Sequence, residues 1–327
     1  MKKYMIMCMA LVALLFASCK NEDISISREV SFEVNPHGVI SEFEKHQVHE
    51  DDFEFLSGDW LRVHLLIYDN HGNLVASDVQ YLSGYRSTMN STVELADGSY
   101  TVVATTDVAS LDHDNVTFEY WEFSGMDRLT DLRITDASGL IGWDDKILGI
   151  TSSTIIVGAG HVSHTIDVKP AGALVLVQTN GIHTFSDVIS YHLYVDKNSD
   201  YCSFGSDGSM SSTINAGTTY NWQLSVQNTS SSGNNYYTYR FVLPLGNTNF
   251  IWFAKIEEDG SGFLLDDTHN QVNVRMGKMY NCVFDIPNLA CDFYEFSDGM
   301  KGLMVSDVEN MRRIDQFKKA SMEKRVK

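Results

Sequence analysis

The stretch from His37 to Asp52 is the best candidate for a metal or acid/base site in the sequence. His46 and His49 lie three positions apart, so on a helical turn they would share one face and could bind a borderline metal ion. The neighbouring carboxylates available to complete such a site are Glu50, Asp51 and Asp52. The alternative is a solvated polar loop between the first and second strands. We favour the loop and predict no metal site.

Two further groups of ligand-type residues have simpler structural interpretations. His161 and His164 repeat the three-residue spacing where a loop enters a strand, and we predict no site there. The segment Asp69–Asn73 places oxygen ligands around Gly72, as a calcium loop does. A calcium loop needs a bidentate glutamate six residues beyond its glycine, and Asp78 stands at that position. We therefore predict a hairpin turn.

Aromatic residues in one strand could form a sugar-stacking surface, namely Tyr236, Tyr237, Tyr239 and Phe241 together with Trp252. Alternation along the strand places Tyr237, Tyr239 and Phe241 on one face, where core packing explains them. The chain contains none of the nucleophile-elbow, zinc-protease, P-loop, dinucleotide-binding or paired-cysteine motifs. We predict a protein that is not an enzyme and that has no cofactor, no catalytic residues and no metal ligands; the ligand-binding residues are unknown.

Alternation of apolar and polar residues dominates from residue 27 to residue 285 and predicts half-buried strands. Leu61, Val63, Leu65 and Ile67 share one face that should point into a core. The chain then turns at Asp69–Asn73 and returns as a partner strand. A second hairpin is predicted between residues 91–95 and 100–105, with Asp-Gly in its turn.

The length predicts more than one domain. Lys169-Pro170 interrupts the alternation, so we predict an N-terminal β-sandwich over residues 27–168 and a C-terminal one over residues 169–286. About seven strands are predicted in the second, the number that a Greek-key sandwich needs. Residues 287–327 form a C-terminal extension. Within it, Val308–Lys327 is rich in Lys and Arg with an apolar residue every third position, which predicts a short basic amphipathic helix.

The N-terminus has the layout of a secretory signal. Lys2 and Lys3 precede an apolar run from Met5 to Ala17, which is shorter than the roughly 20 residues of a membrane-spanning helix. The segment Leu15–Cys19 resembles a bacterial lipobox, whose cysteine becomes the lipidated first residue. We predict a lipoprotein signal peptide over residues 1–18, palmitate or similar acyl chains on Cys19, and a tether over residues 19–26.

The net charge and the cysteines narrow the partners and the chemistry. A formal net charge of −19 repels nucleic acid and anionic lipid, so neither is expected as a general partner.

Apart from Cys8 in the signal and Cys19, the cysteines are Cys202, Cys282 and Cys291. One disulfide among these three is an open alternative, and buried thiols are the interpretation we favour.

Several segments, taken together, resemble the fimbrillin superfamily, and among its members the FimB-type fimbrial anchor lipoproteins of Bacteroides-like bacteria. They are the lipobox at Leu15–Cys19, the strand Leu61–Asp69, the turn and strand His71–Val75, and the segments Val93–Leu95 and Gly98–Ala104. The resemblance implies an all-β fold of two tandem transthyretin-like Greek-key β-sandwich domains, here with a short C-terminal helical tail. It also implies a role in anchoring or capping a fimbrium at the outer membrane, with pilin subunits as partners.

The resemblance further implies that stalk subunits polymerise after a protease cuts behind an arginine between their first and second strands. The first strand here is predicted at Ser27–Val34 and the next begins at Trp60, and the segment between them contains Lys45 but no arginine. Arg28 lies at the start of the first strand, and Arg62 lies inside an apolar strand. We therefore predict that the first strand is retained, in a terminal, membrane-side subunit. The alternatives are a surface module that binds glycans or host protein, and a hydrolase with a divergent site.

Overall fold

The computed structural model describes sixteen parts of the chain. They are residues 27–45, 58–112, 115–137, 146–158, 160, 162–180, 190–195, 201–213, 224–227, 235–243, 249–250, 252–258, 261–266, 272–273, 275–285 and 290–296. Most of these residues are in strands, so the predicted all-β class is confirmed. The tandem transthyretin-like Greek-key arrangement stays a prediction.

The first ten strands lie within residues 27–168. They are β1 (Ser27–Asn35), β2 (Asp59–Tyr68), β3 (Leu74–Leu82), β4 (Met89–Ala96), β5 (Gly98–Asp112), β6 (Asn115–Glu119), β7 (Trp121–Ser124), β8 (Arg133–Asp136), β9 (Gly149–Val157) and β10 (Val162–Asp167). Helix α1 (Gly38–Glu44) follows β1, and a 3₁₀ turn (Leu129–Asp131) precedes β8.

Twelve strands follow. They are β11 (Ala173–Asn180), β12 (Ser190–Val195), β13 (Tyr201–Phe204), β14 (Met210–Thr213), β15 (Leu224–Gln227), β16 (Asn235–Val242), β17 (Asn249–Phe250), β18 (Trp252–Glu258), β19 (Ser261–Asp266), β20 (Val272–Asn273), β21 (Met279–Asp285) and β22 (Ala290–Glu295).

The largest sheet has the order β3-β2-β5-β6, with β9 also pairing with β5. It is covered on both faces, because every residue of Leu61–Tyr68 and Val102–Ala109 is buried. On one face Gly149 packs against α1, where an added Cβ would lie 2.4 Å from Val39. On the other face Phe123 of β7 stacks on His64 with ring centroids 4.3 Å apart. We call this sheet the central sheet.

The layers on either side of the central sheet are smaller. On the side of α1 is a three-stranded sheet of order β10-β1-β4. On the side of Phe123 is a four-stranded sheet of order β14-β13-β8-β7. In the latter, Cys202 of β13 is paired with Ile134 of β8, so residues from both sides of position 169 share one sheet.

Two further four-stranded sheets consist of strands from the later part of the chain, in the orders β16-β11-β21-β22 and β15-β12-β18-β19. Strand β22, which begins after residue 287, pairs with β21, which ends before it. At each of the predicted boundaries, residues 169 and 287, a strand before the boundary is therefore hydrogen-bonded to a strand after it. The domain assignments themselves stay predictions.

The predicted hairpin between residues 91–95 and 100–105 is wrong. Strand β4 pairs with β1, whereas β5 pairs with β2 and β9, so the chain crosses from one sheet to another at Asp97. The crossing is held on its outer side by an ion pair between Asp97 and Arg28 and by a hydrogen bond from the Tyr100 hydroxyl to the Ala96 carbonyl (2.8 Å).

The prediction of a polar loop from His37 onward is also wrong for its first part. Helix α1 forms there because Val39, Ile40 and Phe43 make an apolar stripe that is fully buried. Gly38 permits a close approach to the chain after β10, since a Cβ at this position would lie 2.3 Å from the Val168 carbonyl oxygen.

Candidate functional site

Strand β1 is the middle strand of its sheet and is held on both edges. It pairs in the antiparallel sense with β4 from Ser27 to Val34, and in the parallel sense with β10 from Val30 to Asn35. Val30, Phe32 and Val34 are buried in the core, and each contributes roughly 1.5–3 kcal/mol by leaving water. The first strand predicted from the sequence is thus an integral part of the core, and its retention in the mature protein stays a prediction.

The two arginines close to β1 are paired or buried, whereas the lysine between β1 and β2 is exposed. Arg28 is ion-paired with Asp97. Arg62, in β2, is only 2% exposed. Lys45 follows α1, and its side chain is 59% exposed and 2.6 Å from the Glu42 carboxylate. Among the described residues between β1 and β2, Lys45 alone presents a long, exposed basic side chain.

Arg62 is the centre of a buried charged cluster on the Phe123 side of the central sheet. Its Nε donates to Asp107 Oδ1 (2.9 Å), and one terminal nitrogen donates to Asp107 Oδ2 (2.7 Å) and to the Trp121 carbonyl (2.7 Å). The other terminal nitrogen donates to Glu119. Burial raises the pKa of Asp107 to about 6, against the opposing effect of the Arg62 charge.

His64 lies beside this cluster with neither ring nitrogen hydrogen-bonded. Burial, with a smaller contribution from the Arg62 charge, lowers the pKa of His64 to about 3, so the imidazole is neutral. A second buried ion pair joins Lys146 Nζ and Asp59 Oδ2 at 3.2 Å. Both pairs are buried: Arg62 and Asp107 join two neighbouring strands of the central sheet, and Lys146 joins the segment before β9 to β2.

The described histidines of the sequence candidates do not form a metal site. His37 precedes α1 and its Nε2 is 3.2 Å from Glu44 Oε2. His164 is in β10 and stacks on Phe32 with ring centroids 5.7 Å apart. No group of three metal-ligand side chains occurs in the described parts of the chain. His46, His49, Glu50, Asp51, Asp52 and His161 lie outside them.

The segment Asp69–Asn73 is a hairpin turn, as predicted. The Asp69 carboxylate accepts hydrogen bonds from the backbone N–H groups of His71 and Asn73, both at 2.8 Å. Gly72 adopts a φ of +75°, which favours glycine. The oxygens that a calcium ion would need are therefore used to close the turn.

The aromatic candidates are divided between two sheets, with Tyr236–Phe241 in β16 and Trp252 in β18. Phe241 is buried and meets Trp121 edge to face at 6.2 Å, in agreement with core packing. The side chains of Tyr236, Tyr237, Tyr239 and Trp252 are outside the described set.

The thiol of Cys202 is free and fully buried, and burial raises its pKa to about 12. Cys202 is thus one of the buried thiols predicted from the sequence. The side chains of Cys282 and Cys291 are outside the described set.

The signal peptide, Cys19, the tether and the basic tail also lie outside the described residues. Within the described ranges, no helix has the length and apolar character to cross a bilayer.

No protein-family model and no curated protein sequence matches the chain. A proposed adhesin of Bacteroides ovatus is similar to it at 13% identity and a TM-score of 0.45, over 74% of this chain and 82% of that one. The tip fimbrial protein Mfa3 of Porphyromonas gingivalis is similar at 10% identity and 0.42, over 83% and 99%. A fimbrial assembly protein of Parabacteroides distasonis is similar at 11% identity and 0.37, over 83% and 95%.

The names of these neighbours describe a proposed adhesin and two fimbrial proteins. Because the TM-scores are below 0.5, we base the function of this chain on its own residues.

Proposed function

We propose that this chain is a non-enzymatic surface lipoprotein that anchors or caps a fimbrium and supports cell adhesion. The observation that carries the proposal is the position of β1, which is both the strand closest to Cys19 in the chain and the middle strand of its sheet. A lipid anchor on Cys19 would therefore be connected directly to the core.

The tether limits the distance between the membrane and the protein. Ser27 lies eight residues after Cys19, and a fully extended chain spans at most about 3.6 Å per residue, so the anchor point lies within about 29 Å of β1. Acyl chains on Cys19 would supply roughly 0.8 kcal/mol for each buried CH₂ group, which holds a protein without a membrane-spanning segment. The outer membrane is thus the proposed location.

The pairing of β1 suits it to carry a pulling force from that anchor. A force applied at Ser27 acts along the strand, and hence across the hydrogen bonds of both ladders. The bonds to β4 and β10 are then loaded together, whereas an edge strand would be held on one side only. A retained β1 also leaves no groove for the inserted strand of another subunit, which fits a terminal position in a fimbrium.

A test of the proposal is metabolic labelling with a palmitate analogue in the native host. The wild-type chain should carry the label, Cys19→Ala should lose both the label and the membrane fraction, and Cys202→Ser is the matched cysteine control that keeps them. Mass spectrometry of the mature protein should find Cys19 as the first residue, with β1 still attached. A mature chain that begins after Lys45, or a labelled Cys19→Ala variant, would refute the proposal.

The second candidate function is a surface module that binds a glycan or a host protein. The observation that favours it is a charged cleft beside α1, lined by Lys169 and Lys278 among others.

A further inference from the structure

A cleft of about 860 Å³ opens beside α1, within the range of small-molecule binding sites. Six segments that are distant in sequence converge on it, two of which contribute one residue each, Ile150 of β9 and Met210 of β14. The other four are larger. They are the end of β1 with α1, the β3–β4 loop at residues 85–88, the link between β10 and β11 at Lys169-Pro170, and the turn before β21 at residues 276–278. We call this the α1 cleft.

Three titratable side chains that line the α1 cleft, His37, Glu42 and Arg86, contact a residue of opposite type, and a fourth, Asp167, has a neutral partner. The Glu44 carboxylate contacts both His37 (3.2 Å) and Arg86 (2.7 Å). Of the lining acids, Glu42 is paired with Lys45. The other lining acid, Asp167, accepts a hydrogen bond from the Asn35 amide at 3.1 Å.

Lys169 and Lys278 are different. Both are exposed, and neither side chain has an ion pair or hydrogen bond with any other residue in the described parts of the chain. They lie on two separate segments that border the same cleft. The α1 cleft therefore offers two ammonium groups without an ion-pair partner in the described residues, beside a single carboxylate, Asp167, whose partner is neutral.

The backbone that carries these lysines is fixed. The Lys169 carbonyl accepts from the Ile150 N–H at 2.8 Å, and its own N–H donates to the Thr151 hydroxyl at 3.1 Å. The Lys278 carbonyl accepts from the Leu174 N–H at 3.0 Å. Rigid backbone with free side-chain termini reduces the ordering cost of binding, because only the lysine side chains lose freedom.

The remaining lining groups fit a hydroxylated ligand. Amide and hydroxyl groups are supplied by Asn35, Ser41, Ser87 and Thr88; each already makes a hydrogen bond within the protein and keeps capacity for a further one. Ile150, Pro170 and Met210 provide an apolar surface. Tyr85 is the one aromatic ring besides His37 among the lining residues described, and it is buried, so stacking cannot be the main source of affinity.

We propose that the α1 cleft binds an acidic oligosaccharide, with Lys169 and Lys278 each contacting a carboxylate of a uronic- or sialic-type sugar. Charge supplies the attraction, and the amide and hydroxyl groups orient the sugar ring. The proposal rests on the second candidate function and not on lipidation, since Cys19 is not among the residues that line the cleft.

The test is calorimetric titration of the purified mature chain with trigalacturonate at low ionic strength, with maltotriose as the neutral sugar of equal length. Trigalacturonate should bind and maltotriose should not. Lys169→Gln and Lys278→Gln should each weaken binding about tenfold, which corresponds to the loss of one contact to a charged group. Arg128→Gln removes the same charge from an exposed position outside the cleft and should bind as the wild type does.

Three results would overturn the proposal. They are absence of trigalacturonate binding, equal binding by the wild type and the Lys169→Gln/Lys278→Gln double variant, and equal affinity for maltotriose. A hexaglutamate peptide serves as the competing acidic ligand, and binding of that peptide without trigalacturonate would assign the cleft to a protein partner instead. Circular dichroism of each variant confirms that the fold is unchanged before binding is compared.

Discussion

Arg62 and Asp107 face each other across β2 and β5 and form a two-point ion pair in the interior of the protein. Their side chains are 3% and 0% exposed. Because charged groups are costly to bury, such a pair constrains both strands to one register: a shift by one residue would leave each charge without its partner. The pair therefore specifies the central sheet, whatever its net contribution to stability.

Replacing Arg62 by Met should destabilise the protein strongly. The substitution keeps the volume of the aliphatic part but leaves Asp107 buried without a cation, which costs about 3–5 kcal/mol. Urea denaturation at neutral pH measures the free energy of unfolding. The double variant Arg62→Met/Asp107→Leu removes both charges and should recover most of the loss. If the single variant lost less than about 1 kcal/mol, the pair would not constrain the sheet.

His64 should make the protein less stable in mild acid. Its pKa is about 3 in the folded state and about 6.5 in the unfolded chain, so the unfolded state binds a proton first as the pH falls. The free energy of unfolding is therefore unaffected by His64 protonation above pH 6.5, and it falls progressively as the pH is lowered from 6.5 to about 3. Each pH unit within this window costs about 1.4 kcal/mol.

The variant His64→Phe isolates this effect, because its ring can still stack on Phe123 but cannot take up a proton. Between pH 6.5 and pH 5 the wild type should lose about 2 kcal/mol relative to the variant in urea titrations. Parallel pH profiles for the two proteins would show that His64 is protonated equally in both states.

Alternation was sufficient to predict β2 and its partner strand but not the burial of both faces of β2. Leu61, Val63, Leu65 and Ile67 do share a buried face. The opposite face carries Arg62 and His64, which in a sequence suggest contact with solvent, yet a further sheet covers them. A buried charged residue such as Arg62 is compatible with the interior only when a partner of opposite charge is present. That partner, Asp107, is 45 residues away in the sequence.

Pairing between strands was harder to predict than the strands themselves. Residues 91–95 and 100–105 are strands as predicted, but the Asp-Gly between them turns the chain into another sheet. An Asp-Gly turn suits a hairpin and a crossing between sheets equally well, so the local sequence does not distinguish them. The difference lies in distant partners such as Arg28, whose ion pair with Asp97 holds the crossing. The α1 cleft could not be predicted for the same reason: Lys169 and Lys278 are far apart in the sequence and line one cleft only in the folded chain.

Gly38 should resist substitution because of its contact with backbone. A Cβ there would lie 2.3 Å from the Val168 carbonyl oxygen, so α1 would have to move away from the chain that follows β10. We expect Gly38→Ala to lower the free energy of unfolding by about 1–2 kcal/mol, since overpacking outweighs the gain in helix propensity. Gly158→Ala is the matched control. It has nothing within 4 Å of its Cβ and should be neutral or stabilising by up to about 1 kcal/mol. Equal effects of the two substitutions would contradict the tight contact.

Retention of β1 can be tested by giving the chain the arginine that it lacks before β2. Lys45→Arg places an exposed arginine after α1, where it can still pair with Glu42. An arginine-specific protease should then cut this variant between β1 and β2 and leave the same segment of the wild type intact. Mass spectrometry of the N-terminal fragment identifies the cut, and Lys45→Gln is the uncut control.

The two fragments of the cut variant should stay together. Strand β1 remains hydrogen-bonded to β4 and β10, and Val30, Phe32 and Val34 remain buried, so breaking the chain removes only the covalent link. Gel filtration should show one species in native buffer and two in denaturant. Loss of the N-terminal fragment in native buffer would mean that the ladders alone do not hold the strand. A force applied through Cys19 would then reach the core only while the segment between β1 and β2 is intact, and the case for β1 as the anchoring strand would fail.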